Sequence, residues 1–492
     1  MDMTQAEMNR VLGVGALLSS ERDLNRLLDA LLSCAMDLTN CDAGTLYLLE
    51  DDQLRFKLLR NRSLDLRQGG DGRDPDLPPV PLRKENVCAL ALLEDRTILV
   101  EDVRSCPDYD FSGPIRYDHL TGYRTRSMLV VPMHNRSGES IGVLQLINAL
   151  DKDGQVCPFS EEMGLLLRSI ASQAAITIQN VRYLDEIETL FHSFVRVMSA
   201  AIDERSHYNA DHSRRMARCG EKFLDFLNAR AEAAGEALPF PPAQREELLM
   251  CVWLHDVGKV ITPLEVMDKA ERLLPRQRDE IRHRIDRIRL QARLDCAQGK
   301  ITPAELEERD REAQETWDRL RKISLGGFVT DEQAAWLGEV RARTYENALD
   351  GGVQSPWLME DEYAMLSIRR GTLSPEERHV MEEHVEVTAR LLSQIAFSKD
   401  LRRVPVWAAA HHELLNGSGY PHHLTADSIP REVRILTILD IFDALVADDR
   451  PYKPGMPVDR ALTILKEMAE KEGKLDAELV ALFTESRCWE QI

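Results

Sequence analysis

Between Val433 and Leu445 the chain carries Ile435, Leu436, Ile438, Leu439, Ile441, Phe442, Ala444 and Leu445 almost without interruption. A helix that is apolar on every side has to be enclosed by other elements. The same stretch contains Asp440 and Asp443. A carboxylate removed from water is costly unless it is paired or bound to a metal. Any fold this chain adopts must therefore bring partners for those two acids to one buried helix.

Candidate partners stand in four other segments. His212 extends by one turn the stripe Met216, Cys219, Phe223, Phe226, which turns it inward. His255 and Asp256 follow an apolar run (Leu248, Leu249, Val252, Trp253, Leu254), and Val252 shares a helix face with both. His384 lies on a helix opened by Ser374-Pro375-Glu376-Glu377, a capping box with Ser374 as N-cap, Pro375 at N1 and Glu377 at N3. His411 and His412 close the run Val404, Val406, Trp407, Ala408 to Ala410 and lead into Asn416-Gly417-Ser418-Gly419-Tyr420-Pro421. A lone inward histidine is more often a satisfied core residue, and one His-Asp pair at a helix end more often lies on the surface. Five such segments in one chain argue together for a metal centre. Imidazole and carboxylate without thiolate suit iron, manganese or zinc with positions left open. An aspartate beside a histidine can bridge two metals, an arrangement that activates water and holds a phosphoryl oxygen. Lys259, one turn on, offers a cation to a phosphate. The pattern is that of metal-assisted phosphodiester hydrolysis.

Composition narrows the partners. The net charge of -21 argues against a nucleic-acid polymer or an anionic membrane surface, both of which need a basic face. It leaves room for a small anionic substrate, because a metal centre reverses the field locally. No apolar run reaches the length of a membrane span, and Met1 to Ser20 has no signal-peptide pattern. The nine cysteines are scattered, without a CxxC pair, which speaks against a disulfide framework and for a cytoplasmic setting. Ten of the 13 histidines lie from His207 onward.

The first part of the chain is organised differently. Leu24, Leu27, Leu28, Leu31, Leu32 and Met36 recur at helical spacing, and Gly44–Leu49, Leu54–Leu59, Met128–Met133 and Ile141–Ile147 read as strands. The polar stretch Arg67 to Pro81 reads as a loop, and Ser160 to about Asn180 as a closing helix. Helix, antiparallel sheet and helix make an α+β sensor-like domain. Then Ile178, Val181, Leu184, Ile187, Leu190, Phe191, Phe194, Val197, Met198, Ala201 and Ile202 continue in steps of three and four, with no Gly or Pro. One amphipathic helix is expected there, able either to pair with its copy in a homodimer or to pack on its own chain.

The stretches "ERDLNRLLDALLSCAMDLTNCDAGTLYLLEDD", "GYRTRSMLVVPMHNRSGESIGVLQLINA" and "FSEEMGLLLRSIASQAAITIQN" resemble a GAF domain over residues 16–181. Such domains are regulatory modules, and some bind cyclic nucleotides. The nucleotide-binding signature is incomplete here, since Asn148 is followed by Ala149 and Glu161-Glu162 sit close to Phe159. The resemblance leaves open an unknown small ligand or a purely dimerising role. Residues 182–203 form the connecting helix.

Residues 204–486 resemble an HD-GYP domain through "HSRRMA", "LHDVGK", "GTLSPEERHVMEEH", "HHELLNGSGYP", "IPREVRILTILDIFDALVADDRPYK" and "LDAELVALF". That resemblance implies an all-α metallohydrolase acting on cyclic di-GMP, giving linear pGpG and GMP as a further product. It assigns His212, His255, Asp256 and Asp440 to one metal, with Asp256 bridging to a second held by His384, His411 and His412. The same resemblance implies that Lys259 and Arg450 face substrate phosphates and that Gly419, Tyr420 and Pro421 form the loop beside the site. Tyr208 replaces a glutamate that some members use for a third metal, so two metals are expected, iron or manganese before zinc. Asn416 stands where an aspartate is usual. The largest departure is a charged insertion over roughly residues 270–365, with Ile281, Ile285, Ile288, Leu320 and Ile323 as apolar positions of two helices and Thr302-Pro303 opening the second. It is expected as a helical hairpin serving as a lid, as a platform for a signalling partner, or as a solvated decoration. Two alternatives to cyclic di-GMP hydrolysis remain: a catalytically silent scaffold, and a hydrolase of another cyclic dinucleotide or nucleotide phosphoester.

Overall fold

The computed structural model describes residues 23–70, 73–206, 211–347, 351–447 and 455–490. The chain divides into two compact units, residues 1–191 and 192–492.

In the first unit, helix α1 (Leu24–Thr39) is opened by Asp23, whose side chain accepts from the Arg26 amide, and closed by Asn40 in the left-handed region. The sheet that follows has the order β3-β2-β1-β7-β6-β5, from β1 (Cys41–Glu50), β2 (Gln53–Asn61), β3 (Leu66–Gln68), β5 (Ile98–Val100), β6 (Met128–His134) and β7 (Ser140–Leu150). Short strands β4 (Val80–Pro81) and β8 (Val156–Cys157) pair with β2 and β7. Alternation along these strands builds two cores, because successive side chains point to opposite faces. Leu46, Leu48, Leu129, Val131, Leu144 and Leu146 meet α1 and the closing helix, while Tyr47, Met128, Val130 and Val143 meet helix α2 (Val87–Leu93). Asn148 is buried and holds the segment before β6. It accepts from the Arg126 amide at 2.8 Å and donates to the Arg124 carbonyl at 2.8 Å. Helix α3 (Ser112–Thr121) completes the connections.

The closing helix and the connecting helix are one element, α4, running from Glu161 to Asp203. Its first part is buried through Leu167, Ala171, Ala174 and Ile178. Beyond that, Tyr183, Ile187, Leu190, Phe194 and Val197 are 49%, 62%, 71%, 58% and 67% exposed, at steps of four, three, four and three.

The second unit is mostly helical. Helices α5 (His212–Ala233), α6 (Pro242–Leu254) and α14 (Arg431–Val446) surround Gly220, where an added Cβ would lie 3.2 Å from Leu439. A short helix α7 (Leu264–Met267) leads into the insertion. There α8 (Pro275–Ala297) and α9 (Pro303–Leu325) pack together, with Thr302 as the capping residue of α9. The insertion also contains α10 (Asp331–Ala342), α11 (Glu360–Leu366) and a two-stranded ribbon, β9 (Thr344–Asn347) with β10 (Val353–Pro356). The ribbon corrects the all-helical expectation. Gly351 and Gly352 have positive φ at its turn, a conformation glycine reaches at little cost. The insertion has its own core, in which Ile281, Ile285, Leu320, Ile323, Leu337 and Leu366 surround a buried Arg284–Glu362 ion pair of 2.6 Å. Helices α12 (Pro375–Leu392), α13 (Val404–Ala408), α15 (Val458–Glu470) and α16 (Ala477–Ser486) complete the unit. Among the described residues no helix is long and apolar enough to cross a membrane.

Candidate metal centre

Each candidate ligand stands at a helix end or on a buried helix face. His212 opens α5, and His255 caps α6 just before Asp256 and a 3-10 turn over Val257–Ile261. His384 lies mid-way along α12, whose N-cap is Ser374 accepting from the Glu377 amide. His411 and His412 follow α13, and Asp440 sits inside α14. The chain is tight where they meet. A Cβ on Gly258 would fall 1.9 Å from the His384 carbonyl oxygen, so only glycine lets that turn approach α12. The Thr388 hydroxyl accepts from the Gly258 amide at 2.9 Å and donates to the His255 carbonyl at 3.0 Å, tying the two elements together.

Asp256 is the centre of the cluster. Its Oδ2 lies 3.3 Å from His255 Nε2 and 3.8 Å from His212 Nε2. Its Oδ1 lies 3.4 Å from His384 Nε2 and 3.8 Å from His411 Nε2. One carboxylate thus presents one oxygen to each of two histidine groups. Asp440 extends both sides, with Oδ1 3.5 Å from His212 Nε2 and Oδ2 3.8 Å from His412 Nδ1.

Three rings are oriented alike. His255, His384 and His411 donate Nδ1–H to the carbonyls of Val252, Met381 and Ala408 at 2.7, 2.5 and 2.7 Å. That fixes the tautomer and aims each Nε2 lone pair into the cluster. The buried atoms Asp256 Oδ1, His384 Nε2 and His411 Nε2 have no hydrogen-bond partner. Buried polar atoms are rarely left so, and three of them converging, all acceptors, fit a divalent cation. Groups of His212, His255 and Asp440, and of His384, His411 and His412, are each close enough to hold one ion.

Charge states agree with this on one side. Burial pushes His384 down, pushes His412 down to about 4 and holds His411 well below its ordinary value, so these rings are neutral and ready to coordinate. Burial opposes ionisation of Asp256 and Asp440, yet Lys259 beside the first and His212 beside the second hold both carboxyls below the usual range. The other side differs. Burial disfavours a charge on His212, but hydrogen bonds to Asp440 and Asp443 outweigh it and push the ring up to about 10. A metal there has to displace a proton.

Lys259 lies at the edge of the cluster, its Nζ 2.5 Å from Asp256 Oδ2. Gly419 is buried where a Cβ would fall 2.4 Å from the Leu414 amide nitrogen, and the Tyr420 ring packs 4.7 Å from that of His412. The loop through Pro421 is held by Glu413, which accepts from the amides of His422 and Leu424 at 2.7 and 2.8 Å. Asn416 shapes the same loop, accepting from the Ser418 hydroxyl at 2.7 Å and donating to the Glu472 carbonyl at 3.0 Å. Arg450 and Tyr208 lie outside the described residues.

Two further residues belong to the site. Asp443 accepts from His212 Nδ1 at 2.7 Å and from Arg215 Nε at 2.9 Å. It would orient His212 as a metal ligand, and Arg215 secures it. The need for a partner to Asp443 was readable from its apolar helix; the partner's identity was not. The end of α4 also reaches the centre. Arg205 donates to the carbonyls of Lys259 at 2.6 Å, Val260 and Thr262 at 3.3 Å. Asp203 accepts from the Ser213 amide at 3.1 Å.

Residues 23–178 match the GAF domain family and residues 359–479 match the HD domain family, so the chain carries both domains. The HD match begins beyond most of the insertion and includes His384, His411, His412 and Asp440; His255-Asp256 precede it. Over 97 residues the chain is 42% identical to the 3'3'-cGAMP-specific phosphodiesterase 3 of Vibrio cholerae, covering 20% of each chain. It is 29% identical over 217 residues to the cyclic di-GMP phosphodiesterase response regulator RpfG of Xanthomonas campestris pv. campestris, covering 42% of this chain and 55% of that one. A cyclic di-GMP phosphodiesterase of Thermotoga maritima is 37% identical over 108 residues, 22% of this chain and 28% of that one. The aligned part thus spans from a fifth to about half of these relatives. Among solved structures, the GAF domain of an Acinetobacter phosphoenolpyruvate-protein phosphotransferase covers 37% of this chain at 17% identity, with a TM-score of 0.29.

Proposed function

We propose that this chain is a signal-regulated, dinuclear phosphodiesterase of the HD-GYP type that hydrolyses cyclic di-GMP to linear pGpG, with GMP as a further product. The observation that carries this is Asp256, whose two oxygens face separate histidine groups while Oδ1 and two Nε2 atoms stand unsatisfied. His212, His255 and Asp440 would hold one divalent ion, His384, His411 and His412 the other, with Asp256 between them. Iron or manganese suits this hard and borderline donor set best, with zinc third. Bound there, such ions polarise phosphoryl oxygens and make water acidic enough to react at neutral pH. The chain's own residues do the rest. Lys259, Arg450 and the Gly419-Tyr420-Pro421 loop bind and orient the cyclic dinucleotide, and the Nδ1–H donors keep the rings in register. Residues 204–486 act as one catalytic domain interrupted by the insertion at 270–365, residues 16–181 as the sensor, and 182–203 as the connector, in a cytoplasmic setting.

Regulation enters through α4. Its exposed stripe follows the a and d positions of a heptad, which suits pairing with the same helix of a second copy. Its far end is tied to the His212 helix through Asp203 and to the Lys259 turn through Arg205. A ligand of the GAF domain that shifts this helix therefore moves the centre.

The chain purified without oxygen should contain about two metal ions, and should convert cyclic di-GMP to a linear product with iron or manganese present. Asp256→Ala should abolish turnover and lower the metal content. A metal-free chain that binds cyclic di-GMP unchanged would instead make it a silent scaffold. The cGAMP-specific relative supports a second reading of the substrate, and parallel assays with 3'3'-cGAMP decide between them by the ratio of kcat/KM values.

A further inference from the structure

We propose that Cys219 and Cys488 form a two-electron redox site, closing reversibly to an intramolecular disulfide when the chain meets a hydroperoxide. This stands independently of the metal centre. Cys219 lies on α5, two turns beyond His212 on the same stripe, and Cys488 follows α16 immediately after Arg487, whose φ of +48° turns the chain back. The two Sγ atoms are 3.0 Å apart. A disulfide bond is about 2.04 Å long, so a relative movement of about an ångström joins them. The pair is held in place by packing: the Phe483 ring lies 5.4 Å from Phe223, 5.1 Å from Phe442 and 5.2 Å from Trp489. These rings fix the turn that carries Cys488 against α5 and α14.

The thiols are not equivalent. The hydrogen bond to Cys488 and burial both push Cys219 up. Burial would raise Cys488 as well, but hydrogen bonds to Cys219 and Ser486 bring it below its ordinary value. Cys488 is therefore the better thiolate and the first nucleophile. Both side chains are nearly covered, at 4% and 3% exposure, so the oxidant reaches Cys488 by opening of the turn closed by the Glu490 amide on the Arg487 carbonyl. The Cys488 sulfur then attacks one peroxide oxygen, the O–O bond breaks, and the second oxygen leaves as alcohol, or as water for hydrogen peroxide, taking up a proton. The sulfenic acid left on Cys488 is displaced by the Cys219 sulfur, which loses its proton; the hydroxyl leaves as water and the S–S bond forms. Two thiols and one hydroperoxide thus give one disulfide, one alcohol and one water, with one electron drawn from each sulfur. The bond ties the C-terminal turn to the helix that carries His212 and Arg215.

The test is peptide mapping of the full, unaltered chain treated with hydrogen peroxide, alkylated, and digested without reductant. A linked peptide joining Cys219 to Cys488, two fewer alkylated thiols among the nine cysteines, and full reversal by dithiothreitol are expected. In Cys219→Ser, which lacks the second thiol, Cys488 should pass on to the sulfinic acid at the same dose. Both thiols still alkylated after treatment, or Cys488 overoxidised in the unaltered chain while Cys219 stays free, would overturn the proposal. Because the mapping needs no variant, a misfolded mutant cannot decide it.

Discussion

Asp440 and Asp443 lie one turn apart on the same apolar helix and do different work. Asp440 turns toward His212 Nε2 and His412, whereas Asp443 holds the far nitrogen of His212 and is itself held by Arg215. Replacing such an orienting carboxylate costs about 10- to 100-fold in metal affinity. Asp443→Asn should therefore weaken metal binding by about that factor in competition with a chelator, while the chain stays folded. Undiminished affinity would remove Asp443 from the site. His212 also gives the metal-free chain a pH signature. Its ordinary value is 6.5 and its value in the fold is about 10. The stability it contributes is complete below pH 6.5 and is lost as pH rises through about 10. Thermal unfolding of the metal-free chain should move to lower temperature between pH 7 and 10, and His212→Asn should flatten that slope. Metal affinity should rise over the same interval, because binding expels the same proton.

At the scale of elements, readability followed the strength of local signals. The capping box at Ser374 and the cap at Thr302 could be read directly because their chemistry is contained within a few residues. The ligand helices could be read because a histidine or acid stands out against an apolar face. The ribbon β9–β10 could not, since four-residue strands carry too few alternations to register as a period. The apolar pattern by itself did not separate Asp440 from Asp443, because both occupy a helix without a polar side; the family resemblance picked out Asp440, and only the partner helices give Asp443 its place. Arg205 was equally hidden, since its acceptors are backbone carbonyls and leave no trace in side-chain identity. Its removal supplies a prediction. Arg205→Met frees the turn that carries Lys259, and a displacement of about an ångström near reacting groups costs up to about 100-fold. Turnover should fall by about 10- to 100-fold with metal content unchanged. Full activity would show that the Lys259 turn holds itself.

At the scale of the whole molecule, the apolar stripe on α4 is the feature a single copy leaves unexplained. Pairing buries Leu190 and Phe194, which are 71% and 58% exposed in one chain. Light scattering should report a dimer for the unaltered protein. Leu190→Glu combined with Phe194→Glu should give a folded monomer that no longer answers to any GAF ligand, whereas a monomeric unaltered protein would dismiss the pairing. The insertion bears on this scale too. Its own core and its buried Arg284–Glu362 pair make it a unit that closes on itself.

That closure matters most while the chain is being made. His212 and Asp443 are 231 residues apart, so the ring emerges long before the carboxylate that orients it. At synthesis rates of about 5–20 residues per second, the interval is on the order of 10–50 s. Until His384, His411 and His412 emerge, His212, His255 and Asp256 have no opposite half to meet. The insertion in that gap buries Ile281, Leu320 and Leu337 in a core of its own. The insertion is thus the stretch that must be made between the two candidate halves of the centre, His212 to Asp256 and His384 to Asp440.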